Sequence, residues 1–505
     1  MRVGIDLGTT YSLIARTENN GRAVLLPDNS DSELFHTPSV VLLNGPNAAV
    51  GTMAETLLEQ NPELQAIRFF KRNFGDASPL HYDAQGTAWY PETIGALVLK
   101  KLRYDAETYA SSDLKSAVIT VPAHFNDPQR KAVLSAAMLA DVPVLGLVEE
   151  PVAAAIHYGV SAAAHGQILL VYDFGGGTFD ATALSMDQRG VYVLAKSGLT
   201  DTGGKELDEA VGAMILAAFE RALGAAPHLT ARGLLELRRI SEEIKIALCM
   251  PGQNTVRQTV LLVGVAVDVT IRRADFEARI QQLLERTWVE TLKCLRDAGL
   301  TPRDVNSVLL VGGSSLVPAV EAQIKIMFNQ GQKILFHEPT RAVALGAALH
   351  ASQLAGEADR CNIPPEFRGV TGYSVGVRAM DPETGRVSID TLIKKNMPLP
   401  VTVRKVYYTS RANQERMVLE LVQFSSPGEN IVSLGQLVVG PLPSPRQNYP
   451  IEVTVENRED GTVAVQAYDS QTGVELVQVF GRQEGGIENL ATQRALVRST
   501  FINNL

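Results

Sequence analysis

The chain has 505 residues, of which 45% are hydrophobic and 20% charged, and its formal net charge is −9. The length allows two or three domains, and the composition is that of an ordinary soluble globular protein. The acidic balance argues against a nucleic-acid partner, the three scattered cysteines argue against a disulfide framework or a zinc site, and the lack of a signal-like or membrane-length apolar run predicts a cytoplasmic protein with no membrane contact.

Four segments follow one another along the chain. Residues 1–355 alternate short β-rich runs such as "QILLVYDF" with longer amphipathic stretches, which predicts an α/β domain with buried sheets. Residues 356–369 mix charge, Pro and Gly and are predicted to be a linker. Residues 370–482 show period-2 patterns punctuated by turn residues, which is typical of a β-sandwich. Residues 483–505 are predicted to be a short tail or helix.

A weak internal repeat lies in the first segment. "VGIDLGTTYS" (Val3–Ser12) and "LVYDFGGGTFD" (Leu170–Asp180) share an apolar strand, an aspartate, and then small residues with threonine. Glycines at such a turn let backbone N–H groups converge on phosphate, and Asp6 and Asp173 would repel phosphate unless Mg²⁺ lay between them. Two copies, with a third strand–glycine segment "LLVGGSS", favour a duplicated nucleotide-binding domain with a central cleft over ordinary glycine turns.

The sequence resembles one known family over most of its length. "GIDLGTTYS", "VPAHFNDPQRKAV", "EEPVAAAIHYG", "VYDFGGGTFD", "TGGKELD" and "VLLVGGSSLVP" are similar to the nucleotide-binding domain of the heat shock protein 70 (DnaK-type) chaperones, and most of all to their HscC-like branch. "LIKKNMPLP", "SLGQL" and "IEVTV" are similar to that family's peptide-binding domain, up to about residue 482. The resemblance implies an α/β actin-like ATPase domain, which is a duplicated ribonuclease H-like fold, followed by an all-β sandwich.

The family's motifs imply a role for each matching residue. The first phosphate loop is implied to be Gly8, Thr9, Thr10 and Tyr11, and the second Gly175, Gly176, Gly177 and Thr178. Asp6 and Asp173 are implied to hold Mg²⁺ through water, and the catalytic residues are implied to be Lys71, Glu150, Asp180 and Thr178. The remaining nucleotide contacts are implied to be Gly203, Gly204, Glu242, Lys245, Cys249, Gly312, Gly313, Ser314 and Leu316.

Several of these residues have simpler explanations when each is taken alone. Lys71, which by resemblance neutralises the γ-phosphate and orients the attacking water, would be a solvated surface lysine. Glu149–Glu150 could be the acidic first turn of a helix, and Asp180 an exposed turn aspartate. Glu242 and Lys245, three positions apart on a predicted helix, could form an exposed ion pair.

The resemblance also implies a peptide cleft and an interdomain signal. The cleft is implied to be lined by Val377, Met380, Tyr407, Ser410, Met417, Leu419 and Ile451. Such a groove takes an extended apolar peptide through main-chain hydrogen bonds and side-chain burial, although each residue alone is better explained as sandwich core. Pro122 and Arg130 match the family's residues for signalling between the domains.

Four departures from the family pattern bear on function. Leu316 stands where an arginine stacks on the adenine, which removes an interaction of ~1 kcal/mol, and Cys249 stands where serine is common. The linker sequence "IPPEFRGVTG" lacks the family's leucine run, so we expect altered coupling between the domains. Gly146 replaces the arginine that meets a J-domain partner. The helical lid is largely missing from the sequence, so we expect faster dissociation of bound peptide.

These observations predict an ATP-dependent chaperone that hydrolyses ATP to ADP and phosphate and binds extended hydrophobic segments of unfolded proteins. A J-domain co-chaperone and a nucleotide exchange factor are the expected partners. The alternative is a nucleotide-switched binding module with little turnover. A sugar kinase or a filament-forming protein on the same fold is disfavoured, because neither needs a C-terminal β-sandwich.

Overall fold

The computed structural model describes residues 1–31, 33–162, 166–357, 366–380, 386–425, 431–470, 473–475, 477–481 and 490–502. Residues 160–162, 380 and 477–481 are described by their backbone alone. None of the helices within these ranges is long and apolar enough to cross a bilayer.

The first domain carries strands and helices in alternation. Its strands are β1 (Arg2–Asp6), β2 (Tyr11–Thr17), β3 (Ala23–Leu25), β4 (Thr37–Pro38), β5 (Val40–Asn44), β6 (Asn47–Val50), β7 (Ala66–Arg68), β8 (His81–Tyr82), β9 (Ala88–Trp89), β10 (Ser116–Val121), β11 (Val144–Glu149), β12 (Gln167–Phe174), β13 (Phe179–Met186), β14 (Gly190–Leu199), β15 (Thr255–Leu262), β16 (Val265–Arg272), β17 (Ser307–Val311) and β18 (Lys333–Phe336). Its α-helices are α1 (Thr52–Gln60), α2 (Pro91–Ala110), α3 (Asp127–Leu139), α4 (Glu150–Ala162), α5 (Gly204–Leu223), α6 (Ala231–Cys249), α7 (Arg273–Asp297), α8 (Pro318–Met327) and α9 (Ala342–Leu354). Short 3₁₀ helices span Phe70–Asn73, Pro302–Asp304 and Gly313–Leu316.

Two halves of this domain share one plan. In lobe I the hairpin β1–β2 is extended by parallel strands to give the order β11-β10-β1-β2-β3, and in lobe II the hairpin β12–β13 is extended in the same way to give β18-β17-β12-β13-β14. The central strands are buried on both faces, as their near-continuous apolar sequences require. The predicted duplicated α/β architecture is therefore confirmed, and α4 and α9 pack between the two sheets.

Helix α3 shows how local sequence positions residues of the cleft. The Asn126 side chain accepts a hydrogen bond from the backbone N–H of Gln129 at 3.0 Å, and the Gln129 side chain accepts one from the N–H of Asn126. Pro128 follows in the first turn, where its missing N–H costs nothing. This capping box sets where α3 begins and so where the buried Arg130 points.

The second domain is a β-sandwich, as the sequence predicts. The short strand β19 (Glu366–Arg368) precedes it. The strands of the sandwich are β20 (Ser374–Met380), β21 (Val387–Ile393), β22 (Val401–Tyr408), β23 (Met417–Phe424), β24 (Val432–Val439), β25 (Pro450–Asn457), β26 (Val463–Asp469) and β27 (Val477–Gly481). One sheet has the order β21-β20-β23-β24-β27 and the other β22-β25-β26. Strand β19 lies in the predicted linker and pairs in parallel with β14 of lobe II, although the linker has no leucine run.

The β-sandwich contacts the nucleotide domain at the N-terminus of α3. The Asp127 N–H donates to Gln423 Oε1 at 2.9 Å, and the Val463 N–H donates to Asp127 Oδ1 at 2.7 Å. The Tyr373 hydroxyl donates to the backbone carbonyl of His124 at 2.5 Å. These bonds connect the β-sandwich directly to a loop that borders the cleft.

The C-terminal elements α10 (Leu490–Ser499) and β28 (Phe501–Ile502) pack on lobe I. Strand β28 pairs in parallel with β6. The Lys100 ammonium donates to three carbonyls at the end of α10, those of Val497, Arg498 and Thr500. This is favourable because a cation there satisfies carbonyls that have no partner within the helix.

Candidate nucleotide site

The loops after β1 and β12 face each other across the cleft between the lobes. A Cβ added to Gly176 would lie 2.2 Å from Thr10 Oγ1, and one added to Gly177 would lie 2.6 Å from Thr9 Cγ2. Side chains of the first loop therefore occupy the space that a residue larger than glycine would need in the second. The internal repeat therefore corresponds to two loops that are far apart in sequence and form opposite walls of one site.

Other residues of lobe II that are predicted to contact the nucleotide form hydrogen bonds and close contacts with the second loop. The Gly204 N–H donates to the Gly175 carbonyl at 3.0 Å, and the Ser314 hydroxyl donates to the same oxygen at 2.8 Å. A Cβ on Gly203 would lie 2.5 Å from the Gly177 nitrogen. The segments after β14 and β17 thus support the loop that is predicted to hold phosphate.

Buried charged groups lie beneath the two loops. The Lys71 ammonium contacts Glu150 Oε1 at 2.5 Å, and both side chains are largely buried. Asp173 and Asp180 are buried as well, and the Thr120 hydroxyl donates to Asp6 Oδ1 at 3.0 Å. The structure therefore brings the predicted catalytic lysine and four predicted acidic side chains into one part of the cleft.

The crowding of buried carboxylates in this cluster favours binding of a cation. Burial, and after it the charge of Glu150, raises the pKa of Asp6 to about 7. Burial raises the pKa of Asp173 well above its ordinary value, and the charges of Glu150, Asp180 and Asp6 add to the effect. Carboxylates crowded in this way are poorly compensated by one lysine. Two aspartate oxygen donors beside a phosphate-binding loop are a donor set that suits Mg²⁺.

The simpler explanations of Lys71 and Asp180 as exposed groups are wrong, whereas Glu150 does lie in the first turn of a helix. Lys71 is 3% exposed and Asp180 is 1% exposed, so neither is a solvated surface group. Glu149 ends strand β11 and Glu150 begins α4, and both are buried. A buried charged side chain needs a partner, and each of these residues has one.

Glu149 pairs with two cations at the interface with the β-sandwich. Arg130 Nη2 donates to Glu149 Oε1 at 2.6 Å, and the Lys196 ammonium bonds the same oxygen. Burial alone would raise the pKa of Glu149, but Lys196 and Arg130 outweigh it and lower that pKa. Arg130 Nη1 also donates to the carbonyl of Asp460 in the β-sandwich at 2.9 Å. Arg130 thus spans both domains, whereas Pro122 lies in the loop before α3 and accepts a backbone hydrogen bond at its carbonyl.

The sequence analysis did not select His124, which contacts the predicted catalytic aspartate. His124 Nδ1 lies 2.9 and 3.0 Å from the two carboxylate oxygens of Asp180. His124 Nε2 is buried and has no hydrogen-bond partner in the described part of the chain. The motif "VPAHFND" contains this histidine, but its partner is 56 positions away, and no local pattern indicates that pairing.

Arg72, next to the predicted catalytic lysine, was also missed. Its guanidinium donates to both carboxylate oxygens of Glu206 in lobe II, at 2.8 and 2.9 Å, and to the carbonyl of Gly177 at 2.6 Å. A bidentate pair of this kind is among the stronger ion pairs in proteins. Arg72 therefore connects lobe I to the second phosphate loop across the cleft.

The predicted adenosine end lies on α5, α6 and the loop after β17. Lys245 pairs with Asp208 of α5 at 2.7 Å, so the simple explanation of an exposed pair with Glu242 is wrong. Cys249 is half-buried, and burial raises the pKa of its thiol. Leu316 is 44% exposed. An aliphatic side chain therefore stands open to solvent where the family places its stacking arginine.

Five of the predicted peptide-contact side chains are buried rather than open to solvent. Those buried in the interior of the sandwich are Val377, Tyr407, Met417, Leu419 and Ile451. The Tyr407 hydroxyl donates to Asp390 at 2.8 Å. Ser410 is exposed, and the side chain of Met380 lies outside the described residues. The explanation of these apolar residues as sandwich core is the one that matches the geometry.

The fold and the cleft agree with a comparison against known families. The family profile described as Hsp70 protein matches residues 2–495. The chain belongs to the Hsp70 family. The Chaperone protein DnaK of Halobacterium salinarum is 36% identical over 482 residues, which are 93% of this chain and 73% of the relative. The Chaperone protein DnaK of Thermotoga neapolitana is 34% identical over 497 residues, 97% of this chain and 82% of the relative.

Membership of the Hsp70 family establishes the general activity. The chain is an ATP-dependent chaperone and an ATPase, and it binds nucleotide. Nothing in the structure or the relatives favours the alternative of a nucleotide-switched module without turnover. The position within the HscC-like branch stays a prediction.

Proposed function

We propose that ATP binds between the two glycine loops with its phosphates directed toward Lys71, and that this cleft hydrolyses it. The observation that carries the proposal is the close approach of Gly176 and Gly177 to Thr9 and Thr10, above a buried lysine–carboxylate cluster. Asp6 and Asp173 would hold Mg²⁺ through water, and the ion would offset negative charge on the phosphates.

Residues of both lobes would position the attacking water. A cavity of about 10 Å³ is lined by Lys71, His124 and Thr178, among others, which is room for about one water molecule. Asp180 would accept a proton from that water or orient it. With Nδ1–H donating to Asp180, the His124 ring would keep the carboxylate in place, and its Nε2 would be an acceptor.

The nucleotide site would be coupled to the β-sandwich through the loop that contains His124. The His124 carbonyl accepts from Tyr373, and Arg130 donates to Asp460, so separation of the domains would break bonds to the residue that contacts Asp180. We propose that binding of an extended apolar segment of an unfolded protein and docking of the sandwich are alternatives in equilibrium. Because the predicted contact residues are buried, peptide would enter only after the two sheets separate near Tyr407.

The partners and the location are proposed from the family. A cavity of about 1220 Å³ between the domains is lined by Arg130, Gly146 and Phe367, among others. A J-domain co-chaperone adapted to Gly146 would dock there, and an exchange factor would act at the opening of the cleft. We propose a cytoplasmic location, as for a DnaK-type chaperone.

Phosphate release by the purified chain tests the proposal. We expect slow ATP hydrolysis that an unfolded, reduced polypeptide accelerates and that chelation of Mg²⁺ abolishes. The Lys71→Ala protein is the matched blank, because a contaminating ATPase would persist in it. Equal hydrolysis by the two proteins would contradict the assignment of the site.

A further inference from the structure

Three metal-binding side chains meet on the face of the nucleotide domain formed by α4 and the β18–α9 connection. His157 lies on α4, and His337 and Glu338 follow β18. One donor atom from each lies within 4.8 Å of the other two. His157 Nε2 is 2.9 Å from Glu338 Oε2, and the two imidazole rings are 4.8 Å apart between centroids.

One donor of this group lacks a hydrogen-bond partner. His337 Nε2 is buried and has no such partner among the residues the structure describes. A buried polar atom without a partner is uncommon in native proteins and calls for a ligand.

We propose that His157, His337 and Glu338 form a binding site for a divalent transition-metal ion of the Zn²⁺ class. Two imidazole nitrogens and one carboxylate oxygen are a known zinc ligand set that leaves a fourth position open. Metal–ligand bonds of about 2.0–2.2 Å place tetrahedral donors roughly 3.4 Å apart. Donors within 4.8 Å of one another would therefore need to approach by at most about 1.4 Å to reach that geometry.

A path to the site exists. A cavity of about 470 Å³ is lined by all three side chains and by Arg22, Phe35 and Arg341, among others. Glu338 is half-exposed, and His157 is largely buried. An ion entering from solvent would meet the carboxylate first and would keep a water molecule in the open position.

An ion at this location would connect two helices of the nucleotide domain. Helix α4 begins at the catalytic Glu150, and Glu338 accepts at its carbonyl from the N–H groups of Arg341 and Ala342 at the start of α9. A bound ion would join α4 to the entry of α9, the two helices packed between the lobes. The scarcity of cysteine argued against a zinc site, but the ligands proposed here are two histidines and a glutamate. His157 and Glu338 are 181 positions apart in the sequence, so no local motif indicates the site.

Cobalt spectroscopy of the nucleotide-free, chelator-treated full chain tests the site. We expect one equivalent of Co²⁺ to give the intense visible absorption of tetrahedral coordination, and one equivalent of Zn²⁺ to abolish it. Zn²⁺ should also raise the melting temperature, and a chelator should reverse that rise. His337→Phe and His157→Phe keep an aromatic ring but remove a donor, so each should weaken metal binding by more than about tenfold.

Matched controls separate this site from others. His228→Ala removes an exposed histidine elsewhere, and Asp173→Asn alters the ATP site, so both proteins should keep the cobalt spectrum. Glu338→Gln should weaken binding without changing ATP hydrolysis. Unchanged cobalt affinity in His337→Phe and His157→Phe, or an octahedral spectrum in the wild-type chain, would overturn the proposal. Because no step of the assay contains nucleotide, neither result depends on the proposed ATPase function.

Discussion

His124 Nδ1 lies 2.9 Å from the carboxylate of Asp180 at the base of the nucleotide cleft. The same residue accepts a hydrogen bond from Tyr373 of the β-sandwich at its carbonyl. One residue therefore touches both the predicted proton acceptor of ATP hydrolysis and the neighbouring domain. We therefore expect Asp180 to respond to docking of the β-sandwich.

The first prediction concerns this histidine. His124→Phe removes the donor to Asp180, and we expect kcat for ATP to fall by about 10²-fold while KM changes little, since a group that orients an acid or base acts mainly on the chemical step. His124→Gln can still donate and should recover part of kcat. A loss limited to KM would instead assign His124 to nucleotide binding.

The second prediction concerns the buried Lys71–Glu150 pair. Lys71→Met should abolish turnover but retain ATP binding, and it should lower the free energy of unfolding by about 3 kcal/mol, because Glu150 is left buried without its cation. The double variant Lys71→Met, Glu150→Gln should regain most of that stability and remain inactive. Single-turnover hydrolysis and urea unfolding measure the two effects separately. Residual turnover in both variants would remove Lys71 from the mechanism.

A third prediction concerns domain docking. Arg130→Gln removes the bonds to Glu149 and to the Asp460 carbonyl and leaves Glu149 with Lys196 alone. We expect the β-sandwich to dissociate from the nucleotide domain, seen as a larger radius of gyration in X-ray scattering. Lys325→Ala removes an exposed cation that pairs with Glu321 within α8, and it is the matched control. An unchanged radius for Arg130→Gln would show that the remaining contacts suffice for docking.

The fourth prediction concerns the pH dependence of the C-terminal contact. Hydrogen bonds from Arg498 and Arg494 lower the pKa of Asp141 from 3.8 to about 2. Because the folded-state pKa is the lower one, the stabilisation is present above about pH 4 and is lost as the pH falls through 2. Asp141→Asn should therefore destabilise the protein near neutral pH, by ~1 kcal/mol for a partly exposed carboxylate, and this effect should disappear below pH 2. Acid unfolding curves at low salt measure this difference, which would be the same at every pH if the contact were not ionic.

The fifth prediction distinguishes core from cleft in the β-sandwich. Leu419 is 5% exposed, so Leu419→Ala should cost the sandwich about 2–5 kcal/mol of stability. Tyr408→Ala, at a residue 60% exposed, should cost less than about 0.5 kcal/mol. Denaturant unfolding and peptide affinity are measured on both proteins. If Leu419→Ala weakened peptide binding without a loss of stability, the residue would belong to an accessible groove.

Features that depend on neighbours in sequence could be predicted without the structure. The strand–glycine repeats, the α/β alternation and the period-2 pattern of the second domain all result from local backbone preferences and side-chain periodicity. The family motifs located Lys71, Glu150 and Asp180, whose burial the structure then shows. The sequence pattern also changes from α/β alternation to β-strands after Leu354, where α9 ends.

Other features were decided only by tertiary contacts. Lys245 pairs with Asp208 rather than Glu242, His124 meets Asp180, and His157 meets His337. Each pair joins residues that the chain brings together only when sheets and helices pack, because burial and charge pairing depend on distance in space and not on separation in sequence. The pairing of the linker strand β19 and the burial of Leu419 also depend on contacts between residues that are distant in sequence. By itself the sequence determined the loops, the strands and the chemical types available in the cleft, and packing chose which of those side chains face one another.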